Sequence, residues 1–135
     1  MKRTDFIQLD QSYAQPPAAV WKALTTPELH ARWWAAGDVR PVVGHRFELD
    51  MGPWGKQPCE VLEVEPERLF KYRFTPDWTL TWRLQPEGTG TRLTLLHQGF
   101  DPDNPKHRFA LDNMSKGWPQ ILVRLGTALA DRPAS

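Results

Sequence analysis

The sequence predicts an α+β fold: a curved antiparallel sheet of about six strands, two short helices after the first strand, and a long C-terminal helix that covers one face of the sheet. Three observations carry this. Trp78, Leu80, Trp82 and Leu84 alternate with Thr79, Thr81 and Arg83, the pattern of a half-buried strand. Segments of similar character flank it, joined by short turns rich in glycine and proline, which favours an antiparallel meander. Near the C-terminus the apolar period changes. Met114, Trp118, Ile121, Leu122, Leu125 and Leu129 form a stripe at helical spacing. A single helix over a curved, aromatic-rich sheet can leave a cavity between the two layers.

Each element has a local reason. Phe6 to Tyr13 alternates, with Ile7, Leu9 and Tyr13 on one side, and predicts a first strand. Pro16-Pro17 opens a helix carrying Val20, Trp21 and Leu24, because proline is tolerated in a first turn. Thr26-Pro27-Glu28 reads as an N-cap and first-turn proline of a second short helix that holds Leu29 and Trp33 or Trp34. Gly44 precedes Arg46 to Met51, where Phe47, Leu49 and Met51 share a face. Gly52-Pro53-Trp54-Gly55 is a turn, and Cys59 to Glu65 is the next strand. After Pro66-Glu67, Leu69 to Phe74 places Phe70, Tyr72 and Phe74 together. Pro76-Asp77 turns into the Trp78 strand. Pro86 to Gly90 turns again into Thr91 to His97, where Leu93, Leu95 and His97 align. A loop, Asp101 to Pro105, leads to a last helix expected to start between Lys106 and Ser115 and to end near Ala130. Pro119 lies inside its stripe, either as a kink or as the mark of a late first turn.

A length of 135 residues predicts one domain, residues 1–135, with enough chain for a real core. A net charge of +1, with basic and acidic residues interspersed, lacks the electrostatic footprint of a nucleic-acid or anionic-membrane binder. No apolar run reaches the roughly eighteen residues that a membrane span needs. Met1 to Phe6 has a basic start without the apolar run of a secretory signal. The lone cysteine, Cys59, cannot form an intrachain disulfide, which fits a cytoplasmic setting.

Chemistry-bearing residues are few. His97 is the one histidine that periodicity places on an apolar strand face. It is either a core histidine bonded to a neighbour or a ligand anchor and general base. His30, His45 and His107 fall in helix or loop settings and are expected to be solvated. No spacing suggests a metal site, and no cofactor is expected. Cys59 reads as a small buried hydrophobe. Tyr72 and Trp54 are candidates to present polar groups inward, Arg73 and Arg83 should point outward, and Asp38 and Glu48 are candidate carboxylates at a cavity rim. Phosphate-binding glycine loops, nucleophile elbows and HExxH zinc motifs are lacking in the sequence.

The ordered set Pro17 to Leu29, Arg32-Trp33-Trp34, Gly90 to Leu95, His97 with Gly99, and Gly117-Trp118 before the leucine stripe resembles the SRPBCC or START-like superfamily, the helix-grip fold. Within it the chain resembles the branch named after the activator of the heat-shock-protein-90 ATPase. The resemblance spans nearly the whole chain. It implies a deep, mostly apolar cavity between sheet and last helix. It would bring Phe47, Leu49, Met51, Phe70, Tyr72, Phe74, Trp78, Leu80, Trp82 and Trp118 to that cavity, with Trp34, His97 and Leu122 beside them. Each of these is either ligand wall or filled core.

Relatives include lipid and polyketide binders, cyclases and chaperone regulators, so fold alone does not select a function. The leading expectation is a cytoplasmic protein that binds a hydrophobic molecule, such as a lipid, flavonoid or polyketide-like compound. It would act as a monomer or weak homodimer. One alternative is a cyclase- or hydrolase-like enzyme with His97 and Tyr72 as acid–base candidates. The other is a chaperone or stress-response regulator that offers an apolar patch at Trp33-Trp34. A chaperone partner is not expected, because the eukaryotic activator uses a separate N-terminal chaperone-binding domain for which this chain has no room.

Overall fold

The structure, a computed structural model, describes residues 5–130. The basic start of the chain, Met1 to Thr4, lies outside the described residues. In chain order the elements are β1 (Asp5–Tyr13), α1 (Pro17–Thr25), α2 (Pro27–Trp33), β2 (Arg46–Asp50), a short 3-10 turn (Gly52–Trp54), β3 (Lys56–Glu65), β4 (Leu69–Phe74), β5 (Trp78–Glu87), β6 (Gly90–Phe100) and α3 (Pro105–Ala130). The strands form one six-stranded sheet in the order β1-β6-β5-β4-β3-β2. Every pairing is antiparallel. This is the helix-grip architecture anticipated above.

Alternation sets which face is buried. Phe70, Tyr72 and Phe74 on β4, Leu80, Trp82 and Leu84 on β5, and Leu93, Leu95 and His97 on β6 all face the helices and are buried. Arg73 and Arg83 point outward and are exposed. On that outer face Asp10 joins β1 to β6, accepting from Thr94 Oγ1 at 2.8 Å and Arg92 Nη2 at 3.0 Å. Both bonds favour the carboxylate and lower its pKa, that from Thr94 most.

The central core is aromatic, and its three buried indoles are all satisfied, as a buried tryptophan requires. Trp33 Nε1 donates to Ala23 O at 2.9 Å, Trp82 Nε1 to Tyr72 Oη at 3.4 Å and Trp118 Nε1 to His97 Nδ1 at 3.0 Å. The C-terminal half of α3 is tied to the sheet by Tyr13, whose hydroxyl donates to Leu122 O at 2.7 Å. Gly126 lets the Tyr13 ring close on the helix, since a Cβ there would lie 3.2 Å from Cε1.

Several boundaries differ from the sequence reading. β3 begins at Lys56 rather than Cys59 because it pairs with β2 from Asp50 onward. β5 runs through Pro86 to Glu87. Leu84 N–H reaches Arg68 O, so Pro86, two residues on, turns its ring nitrogen to the same side, beyond the end of β4, and no ladder bond is lost. α3 starts at Pro105, ahead of the expected window, so Pro119 is a true helix-interior proline and not the mark of a late start. Ser115, whose carbonyl Pro119 cannot serve, and Pro119 itself both lie on the exposed side of α3, where water can take that carbonyl.

The histidines are less solvated than expected. His30 is buried, with Nδ1 donating to Ala35 O at 2.6 Å. His45 and His107 are half-buried. Trp33 is buried and Trp34 half-buried, so the apolar surface patch expected at this pair is not formed.

Candidate functional site

The two halves of α3 differ sharply. Trp118, Leu122, Leu125 and Leu129 are buried, whereas no residue from Pro105 to Gly117 is. The N-terminal half stands off the sheet and roofs a cavity of about 810 Å³. Ala110, Met114, Gly117 and Ile121 line its underside. The opposite wall is Phe74, Thr75, Pro76, Asp77 and Trp78, from the β4–β5 corner. Met51, Trp54 and Gln57 close one side and Trp34 the inner end. Trp54 and Phe109, 67% and 63% exposed, stand at the mouth.

The sequence builds each wall for a local reason. Trp34 follows the last turn of α2, where its N–H still bonds His30 O, and its ring packs against Trp118 and Phe74 with centroids 4.9 and 5.4 Å away. Thr75 has φ 62°, a strained value for a β-branched residue. It is held there by its N–H on Pro58 O at 2.8 Å, while its hydroxyl accepts Asp77 N–H. Gly99 in β6, at φ 104°, admits the same corner, because a Cβ there would collide with Asp77 O. Across the mouth His107 faces Asp77. Its Nδ1 accepts Asp101 N–H at 2.9 Å, so its proton sits on Nε2, 3.5 Å from the Asp77 carboxylate.

His97 sits behind the cavity wall, fully buried among Phe74, Trp78, Phe100 and Trp118. Burial pushes its pKa down to about 3, so the ring is neutral. An indole N–H can only donate, so His97 Nδ1 accepts from Trp118 and the proton resides on Nε2. With its lone pair engaged, this imidazole is built to donate a hydrogen bond and not to accept a proton. Tyr72 is sealed in the core, where burial raises its pKa well above the ordinary value, and its hydroxyl meets Trp82. Cys59 is buried and its thiol is pushed up to about 12 by desolvation. Among the described residues no group of three His, Cys, Asp or Glu is placed to hold a metal ion, and no helix is long and apolar enough to cross a membrane.

Of the sequence-derived wall, Trp34, Met51, Phe74, Trp78 and Trp118 reach the cavity. Phe47, Leu49, Phe70, Tyr72, Leu80, Trp82, His97 and Leu122 are buried in the packed interior and do not line it. Asp38 and Glu48 are exposed and away from the lining; Asp38 instead bonds Arg40 at 3.2 Å. Trp54 lines the mouth from an exposed position rather than pointing inward.

The sequence reading missed the roof residues Ala110 and Gly117 and the corner residues Thr75, Pro76 and Asp77. A signal for the roof existed. Ala110, Met114, Gly117 and Ile121 repeat the spacing of Trp118, Leu122, Leu125 and Leu129, with Ala110 and Gly117 standing where the later set has Trp118 and Leu125.

The crystal structure of Mesorhizobium loti protein MLL2253 superposes with a TM-score of 0.86 at 33% identity, over 96% of this chain and 100% of that one. The solution structure of Bacillus halodurans protein BH1534 gives 0.83 at 28% identity, over 96% and 99%. DynU16 of the dynemicin biosynthetic locus gives 0.78 at 26% identity, over 94% of this chain and 48% of that longer one. No curated protein has significant similarity to the chain. Residues 14–130 match the family described as Activator of Hsp90 ATPase homolog 1-like protein, and with the helix-grip fold and an end-to-end relative at 33% identity this chain belongs to that family.

Proposed function

We propose that the protein binds a hydrophobic or aromatic small molecule in the cavity beneath the N-terminal half of α3. The observation that carries this is the cavity itself, about 810 Å³ and walled by Trp34, Phe74, Trp78, Trp118 and Met114. Small-molecule sites are typically apolar clefts of roughly 300–1,000 Å³ with a few polar anchors. The apolar, aromatic wall suits a lipid-, flavonoid- or polyketide-like compound. The protein would work as a monomer or weak homodimer. A cytoplasmic setting agrees with a single unpaired cysteine. Binding without catalysis agrees with a His97 whose lone pair is committed to Trp118.

The test is Gly117→Leu. A Cβ at Gly117 meets nothing within 4 Å, so the new side chain enters the cavity rather than the core. The wild-type protein is screened by thermal shift and native mass spectrometry against flavonoids, fatty acids and polyketides. A compound at 100 times its Kd adds about 2.7 kcal/mol of stability. Gly117→Leu is expected to fold and to lose that gain. A variant that binds as the wild type does would move the site elsewhere.

A further inference from the structure

Two buried N–H donors beside the cavity meet no acceptor. Trp78 lines the cavity, and its Nε1 is buried without a hydrogen-bond partner among the described residues. His97 Nε2, which carries the ring proton because Trp118 occupies Nδ1, is likewise buried and unpartnered. The two rings are adjacent, with centroids 5.5 Å apart and planes at 73°. The other rings packed on Trp78 are Phe74, Phe100 and His107. The first two have no acceptor. His107 has its Nδ1 occupied by Asp101 N–H and turns Nε2 toward Asp77. Buried polar groups in folded proteins are almost always paired, so the orphan donor of a wall residue, with a second directly behind it, marks a place where an acceptor belongs.

We propose that the ligand carries an uncharged acceptor oxygen, a ketone, quinone or lactone carbonyl, and that this oxygen docks against the Trp78 indole N–H. This rests on the cavity reading above and sharpens it from apolar ligand to carbonyl-bearing ligand. A neutral acceptor fits better than a carboxylate, because the indole donor and the His97 ring behind it are both uncharged and a buried anion would lack a counter-charge there. An aliphatic compound without such an oxygen fills the same space and leaves the indole N–H unpaired.

Matched pairs that differ only in that oxygen test it: 9-fluorenone against fluorene, and benzophenone against diphenylmethane. Each is titrated into the full-length protein labelled with 15N at tryptophan. The ketone of each pair is expected to bind about tenfold tighter than its methylene partner, the worth of one good buried hydrogen bond. The Trp78 Nε1–H resonance should move downfield with the ketones alone. Trp78→Phe keeps an aromatic ring and removes the donor. It should bring the ratio to about one, whatever the loss of ring area does to the affinity of both members of a pair. Both members of each pair binding equally well to the wild type would overturn the carbonyl assignment and leave the cavity standing. So would a ketone preference that survives Trp78→Phe. If no member of either pair binds, the cavity reading falls and this one with it.

Discussion

One helix, read twice at the same spacing, produces two unlike regions. In the C-terminal half of α3, Trp118, Leu122, Leu125 and Leu129 reach the sheet and are buried, clamped by Tyr13 on Leu122 O. Ala110, Met114, Gly117 and Ile121, a stripe of the same spacing that begins eight residues earlier and sits about 80° around the helix, enclose space. The helix is continuous through Pro119, and the two stripes differ in volume at Ala110 and Gly117, which stand against Trp118 and Leu125. Close packing is the default of a protein interior. A cavity therefore has to be built by withholding volume, and here it is withheld at an alanine and a glycine while aromatic walls hold the opposing surfaces apart.

The sharpest way to break this contrast is truncation in each half. Leu125 is fully buried, and Leu125→Ala should cost about 2–5 kcal/mol, transfer plus cavity. Met114→Ala, on a side chain that faces existing space, should cost less than about 1 kcal/mol. Urea denaturation of the two variants reads the difference. Equal losses would mean that the roof is packed as tightly as the closed half and that the cavity collapses in solution.

Much of the closed half was legible in the sequence, because burial by alternation or helical stripe needs only a run of residues. The strands around Phe70–Tyr72–Phe74 and Leu93–Leu95–His97 were of this kind. The open half was harder to read. Trp78 follows the alternation of β5 faithfully, yet it lines a cavity while Trp82 on the same face is sealed. Which of the two happens depends on Ala110 and Gly117, far along the chain on α3, a long-range pairing no local period encodes. Thr75 stands unread between the Phe74 strand and the Pro76-Asp77 turn, and its positive φ is imposed by Pro58 on a neighbouring strand. His30 shows the limit of short helices. α2 has seven residues, too few for the period to decide between a face centred on Leu29 and one that buries His30 and Trp33.

Acid should strike the closed half next. Burial lowers His30 to about 4 and His97 to about 3 from an ordinary 6.5. Between those values and 6.5 the unfolded chain binds protons that the folded chain refuses, so stability is full above 6.5 and falls as the pH drops toward 3. Asp10 acts in the same direction but in a lower window, below its ordinary 3.8. A denaturation midpoint that declines steadily from pH 6.5 toward 4 is the expected result. A flat profile there would place both imidazoles in contact with water, and the interior around Trp33 and Trp118 would not be dry.

The smallest effect is the most telling about the roof. Glycine inside a helix costs roughly 0.5–1 kcal/mol relative to alanine, because it has more backbone freedom to lose on folding. Gly117 lies in the interior of α3, and a Cβ there touches nothing within 4 Å. Gly117→Ala should therefore raise stability by about 0.5–1 kcal/mol, the opposite sign from any change in the closed half. A methyl group is small enough to leave the cavity open, so ligand binding should persist in this variant and vanish in Gly117→Leu. If alanine destabilises instead, the roof lies closer to Phe74 and Trp78 than the structure places it, and the two halves of α3 are packed alike.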